Sequence, residues 1–149
     1  QFSAWLGNVA TPNSATTAVI MNQAQTITAV FVVCGCAADV SAITTVTRSG
    51  YVLNPATERY TQTVTVTNNS ANAITGPLSL VLDGLSVGAT LFNATGTTDT
   101  FELPAGSPYL NANLSLAAGQ KTSFTLQFAD PSHAAISYNT RVVTGPGVR

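Results

Sequence analysis

The chain has 149 residues, of which 45% are hydrophobic and only 7% charged, with a formal net charge of −1. That length suits one domain with a short appendage and enough apolar residues for a core, although charged residues fall far below the ~25% of ordinary globular chains. So weak a charge excludes electrostatic capture of nucleic acid or of an anionic membrane, and no apolar run reaches the ~18 residues of a membrane span.

The surface must be covered by Thr, Ser, Asn, Gln and Ala instead, which gives copies of the chain little mutual repulsion and permits dense self-association. A sequence opening at Gln1 rather than Met is expected to come from a longer precursor or to have been trimmed. Richness in Thr and Val with scattered Gly and Pro argues for an all-β fold.

Phe2, Trp5 and Leu6 open the chain, and a polar loop follows from Asn8 to Thr17. Ala18–Met21 and Thr26–Val33 read as a hairpin turned at Asn22-Gln23, with Ile27, Ala29, Phe31 and Val33 on one face. This stretch resembles the closing half of an internalin-type bacterial B-repeat, through Phe2, Trp5, Gly7, Met21, Thr28, Ala29 and Phe31. The family's opening strands are missing. Two or three strands cannot bury enough surface to stand alone. The segment is therefore expected to dock on the rest of the molecule or to borrow strands from another chain. Phe2, Trp5, Ile27, Ala29, Phe31 and Val33 are its candidate subunit contacts.

Cys34-Gly35-Cys36 marks the expected boundary between an N-terminal β segment, 1–36, and a domain over 37–149. Ile43–Arg48 reads as a strand, and Tyr51–Leu53 as its continuation. Over Arg59–Leu85 two alternating runs flank a polar loop. Tyr60, Gln62, Val64 and Val66 point one way, with Thr61, Thr63, Thr65 and Thr67 opposite; beyond the loop, Leu78, Leu80 and Leu82 alternate with Ser79, Val81 and Asp83. Side chains leave a strand on alternate faces, so this period marks half-buried strands, and the pair reads as an antiparallel hairpin. Ala89–Asn93 reads as a short strand, Phe101–Leu103 with Pro104-Ala105-Gly106 and Ser107-Pro108 as an irregular crossing, and Tyr109–Leu116, Lys121–Ala129 (Phe124, Leu126 and Phe128 inward), Ala135–Tyr138 and Thr140–Thr144 complete the pattern.

Turn signals every ten or so residues predict an immunoglobulin-like antiparallel β-sandwich preceded by an N-terminal β-hairpin segment. Residues 39–147 also resemble a module at the C-terminal ends of large secreted bacterial surface proteins. The resemblance is carried by Val46-Thr47-Arg48-Ser49-Gly50, the Tyr60–Thr67 strand, Gly76-Pro77 with Leu78–Asp83, Pro108-Tyr109, and Arg141-Val142-Val143 with Gly145-Pro146-Gly147. It implies secretion and a surface role, and no chemistry.

Cys34 and Cys36 are the candidate disulfide, as expected of an oxidising compartment. A bridge across one residue is tight, so a bond between subunits competes with it. Zinc would need further ligands, and only His133 is at hand. Asp130-Pro131-Ser132-His133 reads as a surface turn, without the context of a nucleophile. Asp39, Glu58, Asp83, Asp99, Glu102 and Asp130 are scattered singly, without a glycosidase-like pair; a calcium site across loops stays open. Trp5, Tyr51, Tyr60, Tyr109 and Tyr138 could stack on sugar but more often pack a core. Asn68-Asn69-Ser70, Asn93-Ala94-Thr95 and Asn113-Leu114-Ser115 fit the glycan-acceptor pattern.

No enzyme, cofactor or metal is expected. The leading expectation is an extracellular structural subunit that joins copies of itself into a fibre by strand addition. The alternatives are a monomeric spacer and an adhesin or carbohydrate-binding module, with a cell-surface glycan as the second candidate partner.

Overall fold

The computed structural model describes residues 2–31, 35–100 and 103–149, and the chain divides into two compact units, Gln1–Cys34 and Gly35–Arg149.

In the first unit, β1 (Phe2–Leu6) pairs antiparallel with β2 (Thr28–Phe31). Phe2 lies opposite Phe31 and Trp5 opposite Ala29, with an irregularity between Phe2 and Ala4. The expected hairpin between Ala18–Met21 and Thr26–Val33 does not form: 18–21 has no ladder, and β2 takes β1 as its partner. The reason is local. The intervening loop closes on itself, with Ala10 N donating to Ala18 O at 3.0 Å and Thr11 Oγ1 donating to Thr16 O at 3.0 Å. The Trp5 indole N–H bonds Ser14 O at 3.0 Å. The large rings that β2 can meet lie on β1: Phe2 packs edge-on against Phe31 at 6.1 Å and tilted against Trp5 at 5.3 Å, the cross-strand pairing that stabilises small sheets. Gly7, at φ 116°, is required where β1 ends, because a Cβ there would come within 2.7 Å of both Ile27 Cδ1 and Thr26 O.

The second unit is a β-sandwich. Its strands are β3 (Ala38–Asp39), β4 (Thr44–Arg48), β5 (Val52–Asn54), β6 (Arg59–Asn68), β7 (Leu78–Asp83), β8 (Thr90–Leu91), β9 (Gly96–Thr97), β10 (Pro108–Ala112), β11 (Lys121–Ala129) and β12 (Asn139–Thr144). One sheet runs β3-β12-β7-β10-β9, and the other β4-β6-β11-β8 with β5 also on β6. All named pairings are antiparallel. The inner faces meet through Val64, Val66, Phe124, Leu126 and Phe128 from one sheet and Leu78, Leu80, Leu82 and Val142 from the other. Along β6, Gln62, Val64, Val66 and Asn68 are buried while Thr63 is exposed, and Phe124, Leu126 and Phe128 face inward on β11. The alternation was legible because the sheet of β6 and β11 turns one face to water.

The hairpin expected over Arg59–Leu85 is corrected. Its two strands lie in opposite sheets: β6 pairs with β4, β5 and β11, and β7 with β10 and β12. The polar stretch between them crosses from sheet to sheet. Asn68, fully buried, anchors that crossing by donating from Nδ2 to Asn72 O at 2.8 Å and to Leu116 O at 2.9 Å, while Oδ1 accepts from Ser70 N at 2.9 Å. Ile74 then bridges Leu116. The valines of β6 and the leucines of β7 thereby cover one another across the core.

A second departure is that β7 is buried on both faces. Val81, expected outward, packs with Ala37, Val143 and Tyr109. Ser79 is covered by the C-terminal residues, with Arg149 Nε donating to Ser79 Oγ at 2.7 Å. Other differences are of length: Ala89–Asn93 reduces to β8, Tyr109–Leu116 to β10, and Ala135–Tyr138 carries no ladder. The irregular crossing expected from Phe101 begins at residues 101 and 102, which lie outside the described residues.

Candidate functional site

The candidate contact residues of the first unit divide by burial. Phe2, Trp5, Ile27 and Ala29 are half-buried within it, whereas Phe31 is 70% exposed despite its expected place beside Ala29. Leu6, Ile20 and Met21 are also largely exposed. Val33 and Cys34 lie outside the described residues. Cys36 is half-buried and forms a parallel bridge with Val148.

The carboxylates of the sandwich are mostly spent on local structure. Asp39 Oδ1 accepts from Ser41 N at 2.8 Å where a short helical turn begins. Asp83 forms an ion pair with Arg141, Nε to Oδ2 at 2.9 Å. Burial pushes the Asp83 carboxyl up, but hydrogen bonds from Arg141 and Ser107 and the Arg141 charge outweigh it and hold the group below its usual range. Among the described residues, no group of three or more His, Cys, Asp and Glu is arranged to hold a metal.

The tyrosines do not form a platform. Tyr138 is buried beside Phe128 at 5.7 Å, with the Arg48 guanidinium 4.3 Å from its ring centroid and its hydroxyl donating to Gln62 Oε1. Burial drives its hydroxyl up to about 12, against the lowering effect of Arg48. Tyr51 packs edge-on against Phe128 and donates to Ile136 O at 3.1 Å. Tyr109 lies over Gly96, where a Cβ would come within 2.7 Å of the tyrosine oxygen. Of the sequons, Asn68 is buried and structurally committed, and Asn93 is bonded to β11 through Thr125 O and Gln127 N. Asn113 is exposed.

One concave site was not anticipated. A pocket of about 410 Å³ is lined by the turn at 57–59, Phe92, and the turn at 129–133. Antiparallel register places Arg59 opposite Ala129, which brings the start of β6 beside the end of β11. The Arg59 guanidinium carbon sits 3.2 Å from the Phe92 ring centroid, a cation–π contact. His133 Nδ1 is 3.1 Å from the Tyr60 hydroxyl, with the rings edge to face at 6.2 Å. Glu58 and His133, at φ 53° and 51°, are the described non-glycine residues with left-handed backbone, and both line this pocket. Such residues concentrate where surrounding structure over-determines the chain, often at functional sites.

Asp130 lies at the base of this turn and is 3% exposed. Its Oδ1 accepts from Ser132 N at 3.2 Å and Ser132 Oγ at 2.6 Å. Its Oδ2 is buried and takes no hydrogen bond from any described residue. Asp130-x-x-His133 was visible in the sequence, and the turn it predicted is present. What no local signal revealed was the apposition of Arg59 and Phe92, which are separated from that turn by 71 and 38 residues and meet it only through strand pairing.

No family model matches the chain, and no curated protein matches it.

Proposed function

We propose that the chain is a non-enzymatic extracellular structural protein whose first unit joins copies of the chain into a fibre by strand addition. One observation carries the reading. Among the described residues, the sheet of that unit has two strands, and Leu6, Ile20, Met21 and Phe31 are 57%, 77%, 72% and 70% exposed. A two-stranded sheet is marginal by itself, and large apolar side chains left in water favour association. With two strands, each is an edge; Trp5 N on the outer side of β1 already donates to Pro12 O at 2.8 Å, so β2 is the edge offered to a further strand. The sparse charge of the chain adds little repulsion between copies. Head-to-tail contacts that do not close propagate as filaments. Secretion, an immunoglobulin-like character for the sandwich and a Cys34–Cys36 bridge belong to the same reading, supported by the resemblances and the cysteine spacing.

The test uses the full chain. Light scattering after size exclusion and negative-stain microscopy compare the wild type with Leu6→Lys/Phe31→Lys. Concentration-dependent oligomers or fibres in the wild type, lost in the variant with the sandwich melting unchanged, are the expected result. A wild type that remains monomeric at every concentration refutes assembly and leaves a spacer module.

A further inference from the structure

We propose that the outer edge of β4 is an interface at which two copies of the chain pair antiparallel about a two-fold axis centred on Val46. The inference is independent of the first unit's strand addition and uses only the sandwich.

The register of β4 on β6 shows which of its backbone groups are free. Asn69 N donates to Ile43 O at 2.9 Å, and Ser49 N to Thr63 O at 2.9 Å. These bonds flank the ladder that pairs Thr44–Arg48 with residues 64–68. Hydrogen-bonded and non-bonded pairs alternate along an antiparallel ladder. Thr45 and Thr47 therefore bond β6, while Thr44, Val46 and Arg48 turn their backbone groups outward. The Thr44 N–H is taken by Ser41 O. The N–H groups of Val46 and Arg48 and the C=O groups of Thr44, Val46 and Arg48 bond no described residue.

The other edges of the sandwich are guarded. β3, β8 and β9 have two residues each, and β5 has three. Beyond β8 the Asn93 side chain takes the place of a strand on β11, accepting from Gln127 N at 2.9 Å and donating to Thr125 O at 2.8 Å. The far end of that edge carries Lys121, the single lysine of the chain. Beside β9, Thr95 Oγ1 accepts from Asn111 N at 3.0 Å. Short strands, side chains that occupy the free groups, and lysine all keep edges from pairing. β4 has five residues, without proline or lysine. Its one charged side chain, Arg48, is tied to Tyr138 O at 3.0 Å and Thr140 Oγ1 at 3.2 Å.

The occupant that fits this edge is a second β4, because the free groups complement themselves. With Val46 opposite its counterpart, each Val46 N–H meets the other copy's Val46 C=O. Each Arg48 N–H then meets the other copy's Thr44 C=O, so every free donor on both edges is used. Main-chain bonds of this kind carry edge-to-edge strand addition. Charge does not oppose the pairing, since Arg48 faces Thr44 rather than another cation. The antiparallel direction also sets the head of one strand beside the tail of the other. Ile43 is 41% exposed at the head, and Tyr51 and Val52 are 38% and 65% exposed just past the tail. Apolar side chains thus approach at both ends and leave water. Such an isologous contact closes on itself as a two-fold dimer, the commonest symmetry of homo-oligomers.

Sedimentation equilibrium and amide exchange by NMR test this on the full chain carrying Leu6→Lys/Phe31→Lys, which removes association through the first unit. The expected result is a dimer that grows from micromolar to millimolar concentration. Exchange at the Val46 and Arg48 amides should slow about tenfold or more over that range. The two-fold places Thr45 opposite Thr47 of the other copy. Adding Thr45→Lys/Thr47→Lys sets like charges opposite each other and should raise the dissociation constant about tenfold. Thr45→Glu/Thr47→Lys sets opposite charges there and should restore it. Both side chains are exposed, and both variants give up the same bond from Asn69 Nδ2 to Thr45 Oγ1, so equal melting shows them folded alike. A chain that stays monomeric at millimolar concentration would overturn the proposal. A dimer that leaves the Val46 and Arg48 amides unprotected, or that responds alike to both charge variants, would overturn the placement. Protection of those amides in the wild type that vanishes in Leu6→Lys/Phe31→Lys would give the edge to another copy's first unit and overturn self-pairing.

Discussion

Substituting Val66 by Asp tests the assignment of strand faces on which the sandwich rests. Val66 is fully buried, and its cross-strand neighbours are Val46 on β4 and Thr122 on β11. Neither offers a cation. Loss of the buried valine removes about 1.5–3 kcal/mol. An uncompensated buried charge adds about 3–5 kcal/mol. The sum, about 5–8 kcal/mol, is comparable with the whole stability of a typical domain, ~5–15 kcal/mol. Val64, two residues earlier, is a less stringent position, because Arg48 lies opposite it and could pair with the new carboxylate. Thr63→Asp is the control: that side chain is exposed on the other face, and Asp there should cost about 1 kcal/mol or less. Urea titration and thermal melting followed by circular dichroism should show Val66→Asp unfolded or barely folded at 25 °C and Thr63→Asp close to wild type. A cooperative Val66→Asp transition near that of the wild type, or equal damage from both substitutions, would refute the inward assignment of β6.

Val81→Ala should cost about 1–3 kcal/mol, because Val81 is enclosed by Ala37, Val143 and Tyr109; a change within about 0.5 kcal/mol would mean that the outer face of β7 is open. Asp83, held below its usual range, contributes stability that is present above the unfolded carboxyl value of ~3.9 and is lost as pH falls through its folded value. The melting temperature of the wild type should therefore drop more steeply than that of Asp83→Asn below about pH 4. For Tyr138 the sign is the reverse: its folded value near 12 exceeds the ordinary value of 10.0, so its stabilising effect is complete below pH 10 and lost as pH rises between the two. Tyr138→Phe should flatten that alkaline loss, and ultraviolet titration of the folded wild type should show Tyr138 and Tyr51, both raised by burial, ionising later than in the unfolded chain.

Much of the sandwich was legible from period-two alternation. β6 and β11 each have one face in the core and one toward water, so Val64, Val66, Phe124, Leu126 and Phe128 declared themselves. Where that contrast was missing, local reading failed. β7 is covered on both sides, and nothing in Leu78–Asp83 says that Val81 lies under Tyr109 while Ser79 meets Arg149. The turn at 130–133 was likewise visible, but the orphaned Asp130 oxygen and the Arg59–Phe92 contact were not.

By itself, then, the order of residues determined the all-β class, the strands with one wet face, and the turns that end them, since these follow from side-chain alternation and from backbone preferences within a few residues. The tertiary structure decided which strands pair, that β6 and β7 stand in opposite sheets, that β2 takes β1 as partner, and that a pocket closes around Asp130. Pairing is a choice among distant segments with similar local preferences, and it is settled by which arrangement buries both apolar sets against one another while satisfying the backbone between them.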